Sequence, residues 1–355
     1  MESPTDIVVL TDEQVQELMT PKESLSVLEQ AFRDLGTGKG VTRPRSRTYV
    51  GTRRPGAVYQ FVCMDGGSSE LGYFGLRLLS HLRYYPGDGG SSRAATVTSE
   101  GKKRFAGLVL VFDLEDGALV GLLPNSTLSR LRVGATSALA ARYLARPDST
   151  VLGIIGSGPQ AVGHAVALAP HYPLRQITVY SPNPEHRHRF AQQVTEKTRV
   201  NVVAVERARE GAACDILITA TNAIGPVYDP QWIQPGTCVI SINQHEVPQS
   251  MNQRADLVVV KGKQRGLNFA SDEVGTTPEM EADAGADWEA YPDLADLVTG
   301  KAVGRTAPEQ ITLFRNNEGL GLVFAAIGAH VCQIARERGI GHRIPRDWFL
   351  VERSG

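Results

Sequence analysis

The sequence lacks any run of about 18 uncharged apolar residues, which argues against a membrane-spanning helix. It also lacks an apolar stretch behind its acidic start, "MESPTDIVVLTDEQ", so no secretory signal is expected and a cytoplasmic location is. Cysteine is scarce: Cys63, Cys214, Cys238 and Cys332 are scattered, with no CxxC pair and no metal-finger spacing. That excludes a disulfide scaffold and leaves no metal site to expect. An excess of one charge is missing too, since 37 Lys and Arg face 38 Asp and Glu. Neither a nucleic acid nor an anionic membrane is therefore an expected partner. Basic residues cluster only locally, in "TRPRSRTYVGTRRP" (42–55) and "HRHR" (186–189), and no internal repeat or long linker is visible.

What is present is ordered in two grammars. "TDEQVQELMTPKESLSVLEQAFRDLGTGKG" (11–40) reads as two helices with Thr11 and Thr20 as N-caps and Gly36 or Gly38 as the stop. Strand patterns follow up to about residue 123, "AVYQFVCM", "YFGLRLLSHL", "FAGLVLVFD" and "ALVGLLP", separated by Gly-rich turns. A long polar loop at 84–104 is expected to shape a pocket. After an Ala-rich helix at 126–145, strands and helices alternate through six strands: "TVLGIIG", "QITVYS", "VNVVAV", "CDILITAT", "TCVISIN" and "ADLVVV". Such alternation predicts parallel βαβ units. A last Ala/Gly-rich helix is expected over 320–341.

"VLGIIGSGPQAVGHAVAL" sets Gly156-x-Gly158-x-x-Ala161 between a strand and a helix, the context in which this motif holds a dinucleotide. Gly156 permits the turn, Gly158 lets the backbone approach a pyrophosphate, and the helix offers free N–H groups. The next strand ends in "VYSPNPEHRHR", with Ser181 and Asn183 where NAD-binding units usually carry an acid, and with Arg187 or Arg189 nearby. A missing acid beside arginines tolerates a 2′-phosphate, so NADP is favoured slightly over NAD.

Nearly end to end, the chain resembles the ornithine cyclodeaminase/μ-crystallin family. The resemblance rests on the opening helices leading to "TRPR", on "LVLVFDLEDGALVGLLPNSTLSRLRVGATSALAARYLARPDS", and on "LGIIGSGPQA". It continues through "CDILITATNAIGPV", "WIQPGTCVISI" and "GRTAPEQITLFRNNEGLGLVFAAIGAHV". It implies an α/β fold in which a doubly wound parallel Rossmann sheet (131–314) is inserted in a second α+β domain (1–130 plus 315–355). That second domain would bind substrate and form a homodimer. The implied activity is an NAD(P)H-dependent reductase or dehydrogenase interconverting an α-imino acid, such as a ketimine or cyclic imino acid, and an amino acid. Alternatives are a cyclodeaminase that recycles NAD and releases ammonia, and a binder without chemistry.

Carried over residue by residue, Arg132 matches the arginine that holds the substrate carboxylate, with Arg45 or Arg47 as a second. Arg77 stands where the family has a lysine and binds an anion rather than shuttling a proton. "VISINQHEVPQS" (239–250) places Glu246 at the family's catalytic aspartate and His245 just before it, so either is the expected acid/base. Phe324 replaces an acidic residue on the last helix. Cofactor contacts are expected from Gly156, Ser157, Gly158, Pro159 and Gln160, from Ser181, Asn183 and Arg187, and from Thr221 and Asn222.

Overall fold

Thr11 and Thr20 each start a helix with a reciprocal cap, the Thr hydroxyl accepting from the backbone three residues on while Gln14 or Glu23 reaches back. The helices run Asp12–Leu18 and Pro21–Thr37, and the second stops at Gly38. The computed structural model describes residues 6–84, 95–97, 106–223, 225–277, 280–281, 287–316 and 318–351. Of the loop at 84–104, only Tyr84 and strand Ala95–Val97 fall among them.

Two sheets follow from the two grammars. The first has ten strands. Its order is Leu267–Ala270, Ser46–Gly51, Ala57–Ser68, Tyr73–Tyr84, Ala106–Asp113, Leu119–Pro124, Asp6–Val9 and His342–Pro345. Strand Gly40–Thr42 pairs with Ala57–Ser68, and Ala95–Val97 with Tyr73–Tyr84. Most pairs are antiparallel hairpin neighbours; Asp6–Val9 on Leu119–Pro124 is parallel. Helix Gly321–Glu337 packs on the two longest strands of this sheet, Ala57–Ser68 and Tyr73–Tyr84.

The second sheet has seven strands, every pair parallel. Its order is Asn201–Val205, Gln176–Tyr180, Val151–Ile155, Ile216–Thr219, Cys238–Ser241, Thr312–Arg315 and Leu257–Val260. Central strands such as Ile216–Thr219 and Cys238–Ser241 are buried throughout, as a sheet covered on both faces requires. Strand order reverses beside Val151–Ile155, and that switch point opens a crevice at the carboxyl ends of the strands.

Three features differ from the sequence reading. Thr312–Arg315 is a seventh parallel strand, inserted between Cys238–Ser241 and Leu257–Val260. Strand Leu267–Ala270, counted with the Rossmann range, returns to pair in parallel with Ser46–Gly51 of the first sheet. Helix Asn125–Leu144 runs unbroken across the expected boundary at 130/131 and is buried along most of its length. Its alanines let neighbours approach from several sides, so no single apolar face is needed.

Candidate active site

The turn after Val151–Ile155 is built for close approach. Gly156 has φ 119°, and a Cβ there would lie 2.2 Å from the Ala220 carbonyl oxygen. Only glycine suits that position. Gly158 caps helix Pro159–Leu168, and the space above its Cα is open to 4 Å. Pro159 occupies the first helical turn, where its missing N–H costs nothing, and Ala161 is fully buried. These residues fit a dinucleotide pyrophosphate.

Along the next strand, Ser181 is buried and its carbonyl accepts from Arg187 Nη1 at 3.1 Å. Asn183 caps helix Pro184–Thr198, its side chain accepting from the His186 N–H. Arg187 is thereby held beside the end of the strand. Thr221 is half-buried and Asn222 exposed, just past strand Ile216–Thr219.

A cavity of about 150 Å³ lies where the two sheets meet. It is lined by Arg45, Arg132, Gln160, Lys261, Asn316 and Glu318, among others. Arg132 comes from the buried helix Asn125–Leu144 and Arg45 from the segment entering strand Ser46–Gly51. Gln160 comes from the Gly156 turn, so the cavity adjoins the phosphate loop. Arg45 lies 3.4 Å from the Glu318 carboxylate, whereas Arg47 reaches across to Asn268 and does not line the cavity.

Arg132 is the most exacting group here. Its guanidinium is buried, donates no hydrogen bond and pairs with no carboxylate among the described residues. Its one close partner is the Phe324 ring, 4.9 Å from the guanidinium carbon to the ring centroid. Arg77 faces the same ring at 5.7 Å and donates to Asn125 Oδ1. Phe324, in the place of an acidic residue, is thus a platform for two guanidinium groups rather than a partner for an ammonium. Burial and then the charges of Arg77 and Arg45 push the Arg132 pKa down to about 9. Burial and then Arg45 bring Arg77 down to about 10. Both stay protonated near neutrality, so the pocket demands an anion.

Glu246 lies elsewhere. It is fully buried in the short 3-10 turn Gln244–Glu246, and its carboxylate accepts from the Thr219 hydroxyl at 2.9 Å, the Ser241 hydroxyl at 3.3 Å and the Thr221 N–H. Burial raises its pKa, while these donors oppose the rise. Neither Glu246 nor the half-buried His245 lines the cavity. The physical reason is local: the turn folds the carboxylate back onto the ends of two strands.

Two charged cavity groups escaped the sequence reading, as did Asn316 between them. Lys261, after "DLVVV", is 2% exposed and its Nζ donates to Asn316 Oδ1 at 2.9 Å. Glu318, after strand Thr312–Arg315, faces both Arg45 and Gln244. A lysine ending an apolar strand reads as an exposed strand end, and only its odd place beside "VVV" hinted otherwise.

The profile of the Ornithine cyclodeaminase/mu-crystallin family matches residues 5–323. Over 250 residues the chain is 31% identical to a Delta(1)-pyrroline-2-carboxylate reductase of Bacillus cereus, covering 69% of this chain and 75% of that one. It is 31% identical over 248 residues to an L-lysine cyclodeaminase of Streptomyces rapamycinicus, covering 67% and 68%. The Thermococcus litoralis Delta(1)-pyrroline-2-carboxylate reductase, solved with NADH and L-proline, superposes with a TM-score of 0.78 at 28% identity. That match covers 95% of this chain and all of that one. The chain belongs to the ornithine cyclodeaminase/mu-crystallin family.

Proposed function

We propose that this protein is an NAD(P)H-dependent reductase/dehydrogenase that interconverts a small α-imino acid, open or cyclic, and the corresponding amino acid. The observation that carries this reading is Arg132, a buried guanidinium without a carboxylate partner, in a cavity that also contains a residue of the dinucleotide turn. A planar fork of N–H donors binds a carboxylate bidentately and so fixes the neighbouring Cα against a cofactor. Arg45 and Arg77 add to the positive field on the same side. The reductase relatives, at 31% and 28% identity, support the reaction class.

Gly156, Ser157, Gly158, Pro159 and Gln160 would hold the pyrophosphate. Ser181, Asn183 and Arg187 would meet the adenosine ribose, and Thr221 and Asn222 the far side of the crevice. When bound, the nicotinamide supplies the hydride. Arg187, tethered to Ser181, supports NADP over NAD as the preferred form. Glu246 acts as a positioning residue that clamps residues 219–221 at the crevice edge, and His245 stands behind it.

We assign residues 1–130 and 315–355, joined by strand Leu267–Ala270, to substrate binding and dimerisation, and the remainder of 131–314 to the cofactor. That strand is an edge strand exposing Leu267 and Phe269, which supports a homodimer built through this sheet. Four unpaired thiols support a reducing compartment, hence the cytoplasm. No helix among the described residues is long and apolar enough to cross a membrane.

A cyclodeaminase is the second reading. Glu318 favours it, as a carboxylate that could receive a side-chain ammonium, although Arg45 already faces it. Nicotinamide absorbance separates the two. With NADPH or NADH and a panel of cyclic imines and 2-oxo acids plus amines, a reductase consumes cofactor. A cyclodeaminase releases ammonia from diamino acids without net consumption.

A further inference from the structure

We infer that Lys261 is the group that delivers the proton to the imine nitrogen. The inference deepens the reductase reading and rests on it. Lys261 ends strand Leu257–Val260, at the carboxyl edge of the parallel sheet, and lines the same small cavity as Arg132 and Gln160. With Arg132 fixing one end of a small imino acid there, Lys261 is an amine of the same small cavity that would then hold the C=N bond.

A buried chain of hydrogen bonds aims the lysine. Its Nζ donates to Asn316 Oδ1 at 2.9 Å, and Asn316 Nδ2 donates to Ser137 Oγ at 3.1 Å. Ser137 Oγ lies 2.9 Å from His164 Nε2, and His164 Nδ1 lies 2.7 Å from the Gln160 carbonyl oxygen. Burial pushes the His164 pKa down to about 4, so its ring is neutral near pH 7. The carbonyl can only accept, so Nδ1 carries the hydrogen and Nε2 accepts from the Ser137 hydroxyl. Ser137 then accepts from Asn316, whose amide is held with its oxygen toward Lys261. Every donor and acceptor in this chain has one direction, and it ties the lysine to the turn that holds the cofactor.

The electrostatics suit a proton donor. Burial lowers the Lys261 pKa well below its usual value, Arg132 and Arg45 lower it further, and Glu318 opposes them. Among the described residues, the charged groups that act on it include Arg132 from the long helix, Arg45 from the segment entering the first sheet, and Glu318 from the loop after Thr312–Arg315. A substrate carboxylate arriving on Arg132 offsets the strongest of the repelling charges. Substrate binding therefore favours the protonated, donating form of Lys261.

In the step itself the N–H bond of the ammonium breaks and an N–H bond forms at the imine nitrogen. The carbon of the C=N bond takes the hydride supplied by the nicotinamide, which is oxidised as the carbon is reduced. Neutral Lys261 then recovers a proton from solvent.

Two measurements test this. In the first, ¹³Cε-lysine NMR follows the titration of the ligand-free protein, with the Lys261 resonance assigned by K261R. A midpoint clearly below that of the surface lysines is expected. Titration together with them, near 10.4, overturns the inference. In the second, K261A and K261Q are assayed on the imine that the wild type reduces best. A fall in kcat of about 10²–10³-fold with KM within about threefold is expected, as for loss of a general acid. Ethylamine should restore at least tenfold of the K261A rate, and K261R should stay low. A kcat within fivefold of wild type, or a loss confined to KM, overturns the assignment. If the wild type reduces no imine, the reductase reading itself fails, whatever the NMR midpoint.

Discussion

The two walls of the cavity are made of different chemistry. One wall, from the long helix and the segment entering the antiparallel sheet, carries Arg132 and Arg45, with Arg77 sharing the Phe324 ring with Arg132 behind it. Guanidinium groups keep their charge across the physiological range, so this wall is a fixed positive field. The other wall, from the ends of the parallel sheet, carries Lys261, Asn316 and Glu318 with neutral His164 behind them. Lys261 is the group assigned above to exchange a proton. On the proposed function the difference is a division of labour: permanent charge holds the substrate, and a titratable amine acts on it.

The largest expected effect comes from breaking the holding wall. R132M should lower kcat/KM by about 10²–10³-fold, chiefly through KM, because losing one partner of a buried charge pair costs about 2–5 kcal/mol. Steady-state kinetics on the best imine checks this, and cofactor binding followed by fluorescence should be unchanged. A pure kcat loss would move Arg132 to the reacting wall.

Next in size is the cofactor turn. G156A forces a Cβ to 2.2 Å from a carbonyl oxygen at a φ of 119°, so dinucleotide affinity should fall more than tenfold, with a lower Tm. Calorimetric titration with NADPH and a thermal melt report both. Smaller again is R187A, which should weaken NADPH by about three- to tenfold and leave NADH unchanged. Equal losses for both cofactors would remove the basis for an NADP preference.

The smallest effect concerns Glu246. Burial raises its pKa in the folded protein, so folding takes up a proton there as pH falls. The stability this group contributes is full below the ordinary carboxyl pKa and declines as pH rises through the raised value. For one proton the slope is at most about 1.4 kcal/mol per pH unit. E246Q should flatten that part of a Tm-versus-pH curve. An unchanged slope would mean that the carboxylate is already satisfied by Thr219, Thr221 and Ser241.

Local signals were readable in the sequence because their physics is local. Thr11 and Thr20 cap helices through residues three positions away, and the Gly156 turn sits directly between strand Val151–Ile155 and helix Pro159–Leu168. The parallel sheet followed from alternation. What escaped depends on distance along the chain. The seventh strand, "TLFR", is four residues after a Pro- and Gln-bearing loop, too short to show a period, and its place between two earlier strands is a matter of topology. Lys261 meets Asn316, and Asn316 meets Ser137, across 55 and 179 positions. No spacing rule connects them. Glu246 shows the converse: a motif position aligned well, yet its side chain turned inward because three donors lie within reach.

The late arrival of strand Thr312–Arg315 has a consequence for how the molecule is assembled. During synthesis, Cys238–Ser241 and Leu257–Val260 emerge before Thr312–Arg315, the strand that lies between them in the folded sheet. Their unpaired edges persist until the chain passes residue 315, which slows folding and exposes them to wrong partners. Asn316 and Glu318 follow directly after that strand, so the cavity closes in the last stage of maturation. A nascent chain cut short of this point holds a dinucleotide turn without a finished reaction chamber, and proton-transfer competence becomes a readout of completed folding.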